Sequence, residues 1–132
     1  MKKQILQLER ELNCNSENII WGLISTEGGL SKWMADNVRE TETQIAFTWG
    51  EEWRDHVTHV ADIIQKERNH LLRLRWEDET DADAFLEFRM EKNDITNDYI
   101  LHVTDFALFE DLESLRGLWE QNFEQLRRVS GL

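Results

Sequence analysis

The sequence predicts an α+β fold in which a curved antiparallel sheet of six strands wraps a long C-terminal helix, with two short helices after the first strand. Three observations carry this. Alternation of apolar and polar residues with period two recurs in consecutive segments from about residue 42 to 107, a broad apolar stripe at helical spacing fills residues 111–129, and a stretch of helical period separates the first strand from the rest. The 132 residues suffice for one such domain over positions 1–132 and leave no room for a second.

Residues 5–12 place Leu6, Leu8 and Leu12 on one parity and Gln7, Glu9 and Glu11 on the other, the pattern of a half-buried strand. Asn13-Cys14-Asn15-Ser16 then reads as a turn ending in a helix N-cap, because a serine hydroxyl can accept from a free N–H of the first turn. Ile19, Ile20, Leu23 and Ile24 recur at helical spacing. Gly28-Gly29 is expected to break this helix, and Leu30, Trp33 and Met34 form a second short apolar face that ends at Asp36-Asn37.

Period two begins after Val38 and predicts strands over 42–49, 57–67, 71–76, 85–90 and 99–106. Their separators are turn material: Gly50-Glu51-Glu52, Arg68-Asn69-His70, the run 77–83, and Glu91-Lys92-Asn93-Asp94. Connections this short suit hairpins. In the last element, Leu112, Leu115, Leu118, Trp119, Phe123, Leu126 and Val129 share a stripe. Its ends complement the helix dipole, with Glu110, Asp111 and Glu113 at the start, Arg127 and Arg128 at the finish, and Gly131 beyond. A sheet solvated on one face needs cover on the other, and only this helix is large enough to supply it.

The charge balance of 15 Lys+Arg against 27 Asp+Glu gives a net charge of −12, a field that repels nucleic acid and anionic membrane before contact. Six Trp, six Phe and 40% hydrophobic residues supply too much packing material for a disordered acidic chain. Cys14 is the single cysteine, which excludes an intramolecular disulfide and fits a reducing compartment. Gln4, Gln7, Glu9 and Arg10 interrupt any apolar core of a signal peptide after Met1-Lys2-Lys3, and no stretch approaches the ~20 apolar residues of a membrane span. A cytoplasmic location is the expectation.

By parity and stripe, Trp33, Trp119 and Phe123 of the helices converge on Phe47, Trp49, Trp76 and Phe88 of the strands, with Leu74 and Leu101 beside them. These residues either line a pocket for an apolar molecule or fill the interior, since pockets and cores use the same side chains. Either His59 or Asp62 faces inward, not both, and Tyr99 shares its inward parity with Leu101 and Val103. His59 and Tyr99 are therefore the polar groups best placed to orient a ligand.

Other chemistries find little support. His56 and His59 point to opposite faces of a strand and cannot chelate together. The acidic run 77–83 lacks the turn glycine and terminal glutamate of a calcium loop and reads as a solvated hairpin tip. Neither Cys14, Ser25 nor Ser31 stands in a nucleophile context. No catalytic residue, metal or cofactor is assigned.

The segment Asn18-Ile19-Ile20-Trp21-Gly22-Leu23-Ile24-Ser25-Thr26-Glu27-Gly28-Gly29-Leu30-Ser31-Lys32-Trp33 resembles the first helical pair of the START-like or SRPBCC superfamily. Leu72-Arg73-Leu74-Arg75-Trp76 is similar to that family's mid-sheet strand ending in Trp, and 101–107 followed by a helix with Trp119 and Leu126 resembles its last strand and gripping helix. Asn97-Asp98 stands where the family usually has a glycine before the last strand. The branch nearest in look is that of the chaperone ATPase activator homologues. The resemblance implies the helix-grip fold and a binding protein for a hydrophobic small molecule held between sheet and C-terminal helix. Two alternatives stay open: a protein-interaction module resembling the activator homologues, and a cyclase-like enzyme using His59 with Tyr99. A homodimer or protein partner is compatible with an edge strand or with Phe85 or Phe109 covered. A cavity above ~300 Å³ with an aperture near Trp33 would favour the ligand.

Overall fold

The computed structural model describes residues 2–50 and 55–132. The chain opens with strand β1 (Gln4–Glu11), followed by helices α1 (Glu17–Ser25) and α2 (Glu27–Trp33). Six strands come next: β2 (Asn37–Glu40), β3 (Gln44–Gly50), β4 (His56–Glu67), β5 (Leu71–Trp76), β6 (Leu86–Lys92) and β7 (Tyr99–Ala107). A short 3-10 turn over Phe109–Asp111 leads into α3 (Leu112–Ser130). All strands join one sheet in the order β1-β7-β6-β5-β4-β3-β2, an antiparallel meander with β1 added along β7.

The sheet therefore has seven strands where the sequence predicts six. The additional strand is β2, a four-residue segment in which Val38 pairs with Phe47 and Arg39 with Ala46 of β3. Four residues cannot display a period of their own, and the neighbouring strand is what makes this segment extended. The hairpin residues Glu51 and Glu52 lie outside the described residues, while Gly50 has φ 97°, a conformation that favours glycine.

The break between the first two helices is also displaced. Thr26 ends α1 and caps α2: its hydroxyl donates to the Gly22 carbonyl at 2.6 Å and accepts from the Gly29 N–H at 3.0 Å. Gly28 and Gly29 lie inside α2 rather than between the helices. Gly29 is there for closeness, because a Cβ on it would sit 1.9 Å from the Gly22 carbonyl oxygen. Ser16 caps α1 as the sequence predicts, accepting from the Ile19 N–H at 3.4 Å.

Leu6, Leu72, Leu74, Phe88, Leu101 and Val103 turn one face of the sheet inward, and Trp119, Phe123 and Leu126 of α3 pack onto it with Ile20, Leu30 and Trp33 of the short helices. Trp33 lies 5.6 Å from Phe88 and 6.2 Å from both Trp119 and Phe123 between ring centroids, and its indole N–H donates to the Leu23 carbonyl at 2.9 Å. Leu118 and Val129 lie at the margins of the predicted stripe, being 53% and 44% exposed. Gly131, with φ 74°, ends α3 by donating to the Arg127 carbonyl at 2.8 Å. Before β7, Asn97 takes a left-handed φ of 65°, so asparagine serves at the position where a glycine is usual.

On the outer face, Arg73 of β5 donates from Nε and Nη2 to Oε1 of Glu87 on β6 at 3.0 and 2.7 Å and lies 4.1 Å from the centroid of the Phe85 ring. Phe85 in turn packs on Phe106 at 5.0 Å, whereas Phe109 is 73% exposed.

Candidate functional site

Strands β3, β4 and β5 bring Trp49, His59 and Trp76 side by side on the inner face, because Phe47 pairs with His59 and Ala61 pairs with Trp76. The His59 ring is bracketed by the two indoles, 5.8 Å from Trp49 and 5.9 Å from Trp76, with tilted edge contacts to both. Trp49 is fixed by its N–H, which donates to the Met34 carbonyl at 2.9 Å, and Trp76 by an edge contact with Phe47 at 5.5 Å. The strand pairing thus places His59, not Asp62, on the inner face.

Between this row and α3 lies a cavity of about 560 Å³. Its sheet wall is Trp49, His59, Trp76, Leu86 and Asp105, and its helix wall is Leu115, Leu118, Trp119 and Asn122. Met34, Leu86 and Trp119 are buried and form the floor, while the exposed His59, Asp78 and Leu118 ring the mouth. Lys3 and Glu79 complete the rim. The volume falls within the ~300–1,000 Å³ of small-molecule sites, and most of the lining is apolar.

Asp105 brings a carboxyl group into this apolar wall. Its Oδ2 accepts from the Trp119 indole N–H at 2.9 Å and its Oδ1 from the Phe106 N–H at 2.8 Å. Withdrawal from water outweighs both bonds and pushes the carboxyl up to about 6, even with the Lys3 charge acting the other way. A carboxyl near neutrality can hold or release a proton toward a bound molecule, and each oxygen keeps a lone pair for a further donor.

Lys3 crosses from the start of the chain to the turn after β5. Its ammonium lies 2.7 Å from Oε1 of Glu79, and its backbone N–H donates to Oδ2 of Asp81 at 2.7 Å. Burial raises the Glu79 carboxyl, but the Lys3 bond and the N–H groups of Asp81 and Thr80 prevail and hold it below the usual range. The run 77–83 is therefore more than a solvated tip, since the Glu79 side chain is only 6% exposed. Arg75 secures the same turn by donating to the carbonyls of Ala82 and Ala84, each at 3.1 Å.

A family profile described as a START-like superfamily domain matches residues 1–132. The chain belongs to the START-like superfamily. Among solved structures, this START-like domain is similar to a protein of Bacteroides fragilis at 34% identity, covering 98% of this chain and 92% of that one with a TM-score of 0.64. It is similar in fold to the Aha1 dimer from Colwellia psychrerythraea at 12% identity, covering 93% and 92% of the two chains with a TM-score of 0.73. The AHSA1-like protein from Aeromonas hydrophila gives 9% identity, coverage of 97% and 94%, and a TM-score of 0.74. The last two likenesses show the fold alone. No curated protein matches the chain.

In this START-like domain the predicted cavity residues divide. Trp49, His59, Trp76 and Trp119 stand on the cavity wall. Trp33, Phe47, Leu74, Phe88, Leu101 and Phe123 lie buried in the packed core. Trp33 is sealed, so the mouth lies at the His59–Asp78–Leu118 rim rather than beside Trp33. Tyr99 is at another place altogether: its hydroxyl faces Glu17 at 3.4 Å, and it lines a small depression with Leu12 and Asn93. His59 and Tyr99 thus do not share a cavity, and the pairing that the cyclase-like reading needs is not formed.

Proposed function

We propose that this START-like domain binds a hydrophobic small molecule in the cavity between the sheet and α3. The observation that carries this reading is the open space itself, about 560 Å³ floored by Met34, Leu86 and Trp119 and flanked by the indoles of Trp49 and Trp76. START-like folds commonly bind hydrophobic ligands or interact with proteins, and an unfilled apolar cavity favours the first of these uses. His59 and Asp78 at the mouth set the orientation of such a molecule.

The test is titration with N-phenyl-1-naphthylamine, a neutral apolar fluorophore that accepts energy from tryptophan. Saturable binding of one probe per chain, with quenching of Trp emission and a raised melting temperature, is the expected result. Absence of saturable binding, together with native mass spectra free of any retained small molecule, would overturn the reading.

A further inference from the structure

The charges around the cavity are one-sided. Its acidic groups are Asp78, Glu79 and Asp105, while Lys3 is its one ammonium among the described residues. That ammonium is already engaged at 2.7 Å by Glu79, and among the described residues Asp105 forms no ion pair. The Asp105 oxygens each accept one hydrogen bond, from Phe106 and Trp119, so each keeps acceptor capacity, and the residue lines the cavity. Three indoles, those of Trp49, Trp76 and Trp119, share the wall with this carboxylate.

We infer that the cavity selects a cationic amphiphile, an apolar chain or ring system bearing an ammonium group that lies beside Asp105 among the indoles. This rests on the reading of the cavity as a ligand site. Two forces act together on such a molecule. The carboxylate in a partly dehydrated wall attracts the ammonium more strongly than it would in water, and tryptophan rings add cation–π attraction of about 0.5–2 kcal/mol. The net charge of −12 draws cations toward the mouth before contact. An amphiphile ending in carboxylate or phosphate would meet Asp105 and Asp78 with the wrong sign, and a neutral alcohol would gain only a hydrogen bond.

Three probes with the same ten-carbon chain separate these classes: decylammonium, decanol and decanoate, each titrated below its aggregation range against the full chain at pH 7.5 by Trp fluorescence and calorimetry. The cation is expected to bind at least about tenfold more tightly than decanoate, the ratio that ~1.4 kcal/mol gives, with decanol between them. Asp105→Asn should bring the three affinities to within about threefold while decanol binding persists. Decanoate binding as tightly as the cation, or an unchanged preference in Asp105→Asn, would overturn the inference while leaving the apolar cavity reading intact. If none of the three probes binds and the naphthylamine fails as well, both readings fall. Should Asp105→Asn not fold, the order of the three probes on the native chain still decides.

Discussion

The indole N–H of Trp119 donates to the Asp105 carboxylate at 2.9 Å, so the gripping helix and the last strand are joined by one charge-assisted bond on the wall of the cavity. The bond serves two purposes at once. It satisfies the only polar atom of the Trp119 side chain, which is buried, and it orients a carboxyl group that would otherwise turn toward water.

Stability should respond to pH through Asp105. Its carboxyl is pushed up to about 6 by burial, from an ordinary value of 3.8, so the folded protein holds the proton more tightly than the unfolded chain does. The contribution is therefore fully present below about pH 4 and is lost as pH rises through about 6, by up to about 3 kcal/mol. The stability of the native chain minus that of Asp105→Asn, from urea unfolding at pH 4.5 and 7.5, should decrease with rising pH. The subtraction removes whatever acts independently of Asp105, while the Lys3 and Glu79 charges, which act on the Asp105 carboxyl itself, stay in the difference. A difference that is flat or rises with pH would contradict the assignment.

Trp119→Phe keeps an aromatic ring and deletes the donor. A loss of about 1.5–3 kcal/mol is expected, the range for hydrogen bonds to charged groups. The Asp105 carboxyl should titrate at a higher pH in this variant, as followed by carbon-13 NMR of labelled aspartate.

Neighbouring glycines in α2 should respond in opposite directions. Gly29→Ala drives a methyl group to 1.9 Å from the Gly22 carbonyl oxygen, which is backbone and cannot step aside, so the two short helices must part at a cost of about 2 kcal/mol or more. Gly28→Ala meets nothing within 4 Å and should gain a few tenths to about 1 kcal/mol from helix propensity. Thermal unfolding of the pair is the measurement.

The Arg73–Glu87 pair holds β5 to β6 from the outer face, with the guanidinium stacked on Phe85. Arg73→Lys loses both the fork geometry and the stacking, and should cost about 1–2 kcal/mol in chemical unfolding. Loss of little or no stability would mean that the pair is solvent-screened.

Filling the cavity should separate binding from folding. Leu115→Trp projects a larger ring into open space, so the melting temperature should hold or rise while naphthylamine binding drops about tenfold or more.

Much of this molecule was legible in its residues, and the gaps have identifiable causes. The period-two runs located β3 to β7 to within two residues at each end, because each strand has one wet face and one dry face. Strand β2 escaped because its extended form comes from pairing with β3. Glycine's poor propensity puts the visible signal for the helix break on Gly28-Gly29, while Thr26 terminates one helix and starts the next through side-chain bonds that sequence spacing does not display. Asp105 could have been found: it continues the parity of Leu101 and Val103 by two residues, which puts a carboxylate on the inner face. Lys3 and Glu79 could not, because their meeting depends on how the turn after β5 folds over the far end of the sheet. Trp33, Phe47 and Phe88 could not be told from lining residues, since sheet curvature decides which aromatics face empty space and which face each other.

The pairing of β1 with β7, from Gln4 opposite Ala107 to Glu11 opposite Ile100, ties the start of the chain to its penultimate element. Strands β2 to β7 are sequential neighbours and can zip by short loop closures, but β1 must wait for a partner roughly ninety or more residues away. By this contact-order argument β1 docks late among the described strands, and Lys3 arrives with it. Until that step the Glu79 carboxylate stands without its ammonium, and the nascent pocket is more acidic than the finished one.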